Sequence, residues 1–394
     1  MPSQAHHLQD PSGAESTHGA KSTLGPKHLV LVGAGGVHVQ LLEALAKRHS
    51  PDLKVTLLSP DAHYWHAPRL ADWLMGSVTM AQLAFPLAAQ LAACGGVHLT
   101  QRIKALDVGR QQLLLSDGSM LPYDALSIEI GGDADLKAHD ASLPGSNQHG
   151  LWIQPMERFT SLWPQIADLA RSGSMRIAVV GDGQIATSLA LGIQQALAAD
   201  TLARPSRVSL ISGANLPLAY SPTKMQARVL HLLKSRDITV LQDRCTSLSA
   251  GEATMACGAR LASDATIVAL LAPFPSWVLQ SGLAKHASGM IDVDAQGQSS
   301  SHARVFFAKY QPVNTAGPTG YDLAWRLGHF LDLPPSDKPV IAPDTGRSSW
   351  LYLPSGPQKA LGCWRNMCLS GSSVWRAMDA ADTRALQRAG LHHA

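Results

Sequence analysis

Charge is scarce in this sequence. Asp and Glu together number 29 and Lys and Arg 32 in 394 residues, 15% charged in all, with a formal net charge of +3. Nucleic-acid binders need a basic stripe to neutralise phosphates. So small a surplus, with no stripe, excludes that class. Long hydrophobic runs are missing too, and nothing approaches the ~20 apolar residues of a membrane-spanning helix. Cysteine is scarce: Cys94, Cys245, Cys257, Cys363 and Cys368 are the full set. An odd number in a long chain without a secretion signal reads as a reduced, cytoplasmic setting. Cys94, Cys245 and Cys257 lack zinc-site spacing, so no metal is expected. Met1–Lys27 has neither an apolar signal core nor the Arg-rich character of a transit peptide. It reads as a disordered tail, with His6, His7 and His18 solvated in it.

What remains is an ordinary globular composition, 45% apolar, long enough for two or three domains with sizeable cores. His28–Val32 is a β-rich apolar run ending in Gly33-Ala34-Gly35-Gly36. Val37, Leu41, Leu42 and Leu45 then recur at helical spacing, with Lys47 and Arg48 where a helix ends, and Lys54–Leu58 is a second strand. About 150 residues later the unit repeats. Arg176–Val180 is a strand, Gly181–Ala186 a turn, Ser188–Ala199 a helix and Arg207–Ile211 a strand. Such β–α–β units predict an α/β fold with parallel sheets. Between the copies lie a hairpin (Gln112–Leu115, Met120–Tyr123) with an Asp117-Gly118 turn, a buried strand Ala125–Ile130, and a linker over Ala141–Gly150. Beyond them the pattern predicts a helix at Lys224–Lys234 and strands at Ile238–Leu241, Ala265–Leu271 and Ser301–Phe307. A helix at Tyr321–Leu331, strands at Trp350–Leu353 and Lys359–Trp364, and a terminal helix from Ser372 complete the chain.

The glycine turns carry the chemistry. In G-x-G-x-x-G the first Gly permits the bend, the second lets backbone approach a pyrophosphate, and the third lets helix and strand pack closely. The helix N-terminus then offers free N–H groups to the anion. Gly33 and Gly35 fill the first two places and His38 the third. In the second copy Gly181, Gly183 and Ala186 fill all three. The ribose-binding acid expected after the second strand is replaced by Ser59, with Asp61 two residues on. The second copy has Ser212-Gly213 there, which distinguishes neither NADH nor NADPH.

HLVLVGAGGVHVQLLEAL followed by KVTLLSPDAHYWHAPRLADWLMGSVTMAQLAFPL resembles the FAD-dependent pyridine nucleotide-disulfide oxidoreductases of the type II NADH dehydrogenase and sulfide:quinone reductase kind. The resemblance is nearest to the branch fused to selenophosphate synthetases. It continues through SDGSMLPYDALSIEIGG, LWIQPMERF, IAVVGDGQIATSLALGI and VFFAKYQPVNTAGPTGYDL, over about Lys27 to Leu331. It implies two Rossmann-like domains of the FAD/NAD(P)-binding type and a C-terminal interface region. FAD-binding residues 28–150 and 291–335 would enclose an NAD(P)H-binding domain at 151–290, with 336–394 as the interface region. Hydride would pass from NAD(P)H to FAD and electrons on to a small acceptor such as a quinone. By position, Gly33, Ala34, Gly35, Gly36 and His38 would line the FAD pyrophosphate. Ser59 would sit at its ribose, Pro68 and Arg69 on the segment passing the flavin, and Gly131 and Gly132 at the close of the first lobe. Gly181, Gly183 and Ala186 would hold the NAD(P)H pyrophosphate. The resemblance allows the C-terminal region either peripheral membrane contact or a homodimer interface, through the stripe Val374, Trp375, Met378 and Leu386.

Several positions depart from the family pattern. Ala308-Lys309 stands where Gly-Asp would bond the ribityl chain, with Lys309 a candidate to reach a phosphate instead. Leu271 replaces a Gly, Ala316 a Gln, and Ser188 a Glu beside the nicotinamide. Each lost charge-assisted hydrogen bond costs roughly 1.5–3 kcal/mol. The alternative function is therefore a degenerate, flavin-poor member acting as a binding or regulatory subunit. The redox Cys pair of disulfide reductases has no counterpart in Ser59–Pro86. Cys363 and Cys368 read as unrelated thiols, with an interfacial redox pair as the alternative. His63, Tyr64, Trp65 and His66 read as packed aromatics, with ring stacking or proton shuttling as the alternative. No catalytic residue is named by these patterns.

Overall fold

The computed structural model describes residues 25–48, 50–130, 136–198, 205–270, 274–286, 290–294, 296–308, 320–331, 350–365 and 367–392. Most of the expected tail, to residue 24, lies outside them. Among the described residues no helix is long and apolar enough to cross a membrane.

Five parallel strands build the first sheet, in the order Val305–Phe307, Ala125–Ile128, Lys27–Val32, Leu53–Leu58, Val97–Leu99. Leu29, Val30 and Leu31 are fully buried, as in a parallel strand covered on both faces. One face packs on the helix Gly36–Arg48 through Val39, Leu41, Leu42 and Leu45. The other packs on an antiparallel meander, Ile103–Asp107, Gln112–Leu115 and Met120–Pro122, through Leu106, Leu113 and Leu115. The helix Gly36–Arg48 is pinned at its far end. Arg48 Nη1 donates to the Ala324 carbonyl at 3.1 Å. Gly328 makes room for it, since a Cβ there would lie 1.7 Å from the guanidinium.

The chain leaves this sheet after Ile128, builds a second, and returns at Val305. The second sheet is also parallel, in the order Gly150–Trp152, Ala265–Val268, Arg176–Val180, Arg207–Ile211, Thr239–Leu241. Its glycine-turn helix is Gln184–Leu197, capped by Gly183, and so starts four residues before the expected Ser188. Ala186 through Ile193 are all buried. Gly192 lets the helix Leu70–Leu74 cross closely, because a Cβ there would stand 3.2 Å from the Ala71 carbonyl.

The expected linker at Ala141–Gly150 is in part structured. Leu136–Ser142 and Ser146–His149 are helical, and Gly150 opens a strand. Its turn-forming residues join these short pieces. Gly145, at φ +80, lets the Leu248 carbonyl approach to where a Cβ would stand 1.9 Å away. The strand expected at Ser301–Phe307 starts only at Val305. A 17-residue helix, Met156–Ser172, was not expected; it runs unbroken through Pro164, a residue that argues against a helix interior.

At the C-terminus, Leu351–Gly356, Lys359–Trp364 and Met367–Gly371 form an antiparallel sheet. Leu353, Leu361 and Cys363 join the core of the second sheet. The helix Ser372–Arg388 returns to the first sheet, where Leu386, Ala389 and Leu391 enter its core. Val374, Met378 and Leu386 are buried and Trp375 donates to Asp72. The stripe expected to face a membrane or a second copy is thus largely spent inside the chain.

Candidate functional site

The first glycine turn opens on a cavity of about 500 Å³. Gly33–Val37 floor it, Ser59–Asp61 and His63–Trp65 form one side, and Ala67, Pro68 and Gln154–Glu157 reach in from the opposite end. Gly33, at φ +92, is required: a Cβ would stand 2.1 Å from the Glu129 carbonyl. The amides of Ala34, Gly35 and Gly36 have no protein acceptor among the described residues. Three free donors at a helix N-terminus make an anion seat.

One anion is already built in beside it. The Glu129 carboxylate, 4% exposed, accepts from the amide of Val37 at 3.1 Å and of His38 at 2.7 Å. It caps the helix from a neighbouring strand, because Gly35 at the cap position has no side chain to do so. Gly35 is the glycine that admits it. A Cβ on Gly35 would lie 2.1 Å from the Glu129 carboxyl carbon. Sequence reasoning missed Glu129. Its signal was an acid inside the buried run Ala125–Ile130.

His38 does not face the cavity. It is fully buried; its Nδ1 lies 2.7 Å from the Gly33 carbonyl and its Nε2 2.8 Å from Ser127 Oγ. A polar ring thereby fills the contact that a third glycine would leave bare. Burial lowers its pKa against the opposing pull of Glu129, so the ring is neutral at pH 7.

At the expected ribose end, the Ser59 hydroxyl is turned onto the Asp61 carbonyl and stands 3.1 Å from His98 Nε2. Asp61, two residues beyond the position where an acid was expected, lines the cavity. Its carboxylate is oriented by His63 Nδ1 at 2.7 Å and Trp65 Nε1 at 2.6 Å. The polar-aromatic cluster is therefore part of the cavity wall. The Tyr64 hydroxyl lies 2.9 Å from His66 Nδ1. Burial, with Glu129 and Asp382 nearby, pushes that phenol above its ordinary value and keeps it protonated.

Pro68 lines the cavity and Arg69 turns away from it. Arg69 is 2% exposed and bonds two aspartates of the terminal helix, Asp379 at 2.7 Å and Asp382 at 3.3 Å. Burial raises Asp382, but His66 and Arg69 outweigh it and hold the carboxyl below its usual range. Asp72, at the bottom of the same cluster, is pushed up to about 6 by burial. No local pattern could have paired residues more than 300 positions apart. Gly131, Gly132, Leu271, Lys309 and Ala316 lie outside the described residues.

The second turn is more open. Gly181 is held tightly, with Ala186 Cβ and the Ala269 carbonyl each 2.8 Å from where its own Cβ would be. Ala186 is buried, and Gly183 is exposed, with nothing within 4 Å of its missing Cβ. Ser188 donates to the Ile185 carbonyl at 3.0 Å, so its hydroxyl is used inside the helix. Gln184 reaches across to the Tyr352 carbonyl of the C-terminal sheet. Among the described residues no His, Cys, Asp and Glu group could hold a metal ion. Cys363 and Cys368 are disulfide-bonded, which corrects their reading as unrelated thiols.

The sequence profile of the pyridine nucleotide-disulphide oxidoreductases matches residues 27–308, most of both sheets and the cavity. The chain belongs to that family. It is 26% identical over 232 residues to the demethylphylloquinone reductase NdbB of a Synechocystis strain, covering 57% of this chain and 55% of that protein. The chain thus spans about half the length of this curated relative. Its fold is similar to sulfide:quinone oxidoreductase from Aquifex aeolicus, with TM-score 0.70 and 16% identity over 92% and 91% of the two chains. It is also similar to NDH2 from Plasmodium falciparum, with TM-score 0.66 and 11% identity over 90% and 94%.

The residues present fit a dinucleotide at the first turn. The free amides of Ala34, Gly35 and Gly36 suit a pyrophosphate, and Asp61 supplies a ribose acceptor. The fit is charge-limited, since Glu129 already neutralises part of the helix terminus.

Proposed function

We propose that the chain is an FAD-dependent NAD(P)H oxidoreductase whose electrons go to a quinone or another small acceptor. FAD would supply the two-electron acceptor that a nicotinamide hydride requires and no side chain offers. The observation that carries the reading is the triple of free amides at the first helix terminus, opening on a cavity that continues to Pro68 and Met156. Gly33–Gly36 would hold the pyrophosphate and Asp61 the ribose. The wall of Tyr64, Trp65 and Pro68 would exclude water, and Gly181, Gly183 and Ala186 would seat the nicotinamide dinucleotide. The quinone acceptor rests on the similarity to quinone-reducing relatives. The family segments at 28–150, 151–290 and 291–335 follow the same reading, as does a place beside the branch fused to selenophosphate synthetases.

A second reading is a flavin-poor regulatory subunit. Glu129 in the space that Gly35 leaves open, and Ser188 turned inward, favour it. The visible spectrum of the purified protein separates the two. The enzyme reading expects a yellow protein that bleaches anaerobically with NADH or NADPH. A protein that stays colourless with excess FAD ends it.

A further inference from the structure

We propose that the Cys363–Cys368 disulfide is a thiol–disulfide exchange site for a small thiol that carries carboxylates. The disulfide lies outside the stretch matched by the family profile, which ends at residue 308, although the helix across from it lies within that stretch. It is also away from the first-turn cavity.

The two sulfurs are unequal. Cys363 is 1% exposed and packs in the core of the second sheet. Cys368 is half-buried and lines a separate cavity of about 490 Å³. The opposite wall of that cavity is the helix Thr223–Ser235, which presents Lys224, Ala227 and Arg228. Among the described residues no acidic side chain lines it. Exchange is carried out by a thiolate, so two cations lining the cavity of the accessible sulfur concentrate the attacking anion and stabilise the Cys368 thiolate that is released in the second step. A thiol with its own carboxylates is attracted more strongly than a neutral one.

The exchange balances as two steps. The incoming thiolate bonds to the accessible Cys368 Sγ while the bond to Cys363 breaks. Cys363 leaves with the electron pair and takes a proton. A second thiolate then attacks the sulfur of the first small thiol, releasing the small disulfide and leaving Cys368 as a thiol. Two small thiols are oxidised and one protein disulfide is reduced. The strands hold the cysteines together throughout. Cys363 and Cys368 are direct partners in a ladder running from Ala360↔Gly371 to Trp364↔Met367. The reduced pair therefore stays facing and closes again by the reverse exchange, in which the small disulfide is the oxidant and is returned to two small thiols.

The test titrates thiols in the full-length protein under reduced glutathione and, separately, under uncharged 2-mercaptoethanol at equal thiolate concentration. Two thiols should appear beyond those of Cys94, Cys245 and Cys257, about tenfold faster with glutathione at low salt. Added salt, or Lys224→Gln with Arg228→Gln, should abolish the preference without unfolding. A Cys363→Ser variant that also carries Cys94→Ser and Cys257→Ser, given oxidised glutathione, should capture one glutathione on Cys368, seen as an intact-mass increase and placed by peptide mapping. A disulfide that stays closed under both thiols, or opens at equal rates with them, overturns the proposal.

Discussion

The Glu129 carboxylate sits 2.7 Å from the His38 amide, at the helix terminus that the proposed function assigns to a pyrophosphate. Two anions would then share one dipole. Glu129→Gln keeps an acceptor for the amide and removes the charge. FAD affinity should rise by about tenfold, the equivalent of ~1.4 kcal/mol, in a flavin-fluorescence titration. The loss of a charged cap should cost about 1 kcal/mol of stability in the free protein. Equal affinity in the two proteins removes the electrostatic conflict from the account. If neither binds FAD, the flavin reading itself fails.

Two buried groups give stability opposite pH trends. Asp72 is raised to about 6, above its unfolded value. The folded state therefore binds more protons between those values, and this stabilisation is lost as pH rises through about 6. His38 is lowered. Its neutral form is favoured in the fold, and its contribution is lost as pH falls below the ordinary histidine value. Asp72→Asn should stabilise the protein at pH 8 by roughly 2 kcal/mol. It should also move the pH of greatest stability upward, because His38 alone then sets the slope. Urea unfolding at pH 5, 6, 7 and 8 measures both; an unchanged optimum contradicts the assignment.

Arg69 is the cation that lets the terminal helix dock. Arg69→Leu leaves Asp379 and Asp382 beside Asp72 without it. Breaking a buried pair by removing one partner costs about 3–5 kcal/mol, and the partial exposure of both aspartates places this one at the low end. Limited proteolysis should cut near Ser372–Arg388 well before it cuts the sheets. Uniform resistance would mean that Leu386 and Leu391 suffice to hold the helix.

Gly192 sets how closely the glycine-turn helix approaches Leu70–Leu74. A valine there meets the Ala71 backbone and Leu74 Cβ, at 3.2 and 3.4 Å from its Cβ. The expected cost is about 1–3 kcal/mol of overpacking, read as a lower melting temperature. A higher KM for NAD(P)H should accompany it, because the helix of the second turn is displaced against Leu70–Leu74.

The sequence by itself determined the two glycine turns, the β–α–β units around them and the strands of Arg176–Val180 and Arg207–Ile211. These depend on backbone sterics and on apolar periodicity, which are local. Gly33 and Gly181 could be read because no other residue tolerates the approaches at those points. The tertiary structure alone decided what fills the first turn. Glu129 meets Gly35 across two strands, and Arg69 meets Asp379 and Asp382 across most of the chain. His38 looked like a lining residue and became a packed one, because its hydrogen-bond partners come from Gly33 and a strand 89 positions away. The cysteine pair had visible spacing but no visible geometry until the ladder set Cys363 opposite Cys368. Charge and hydrogen-bond partnership between distant segments depends on how sheets and helices meet, and no local pattern encodes that.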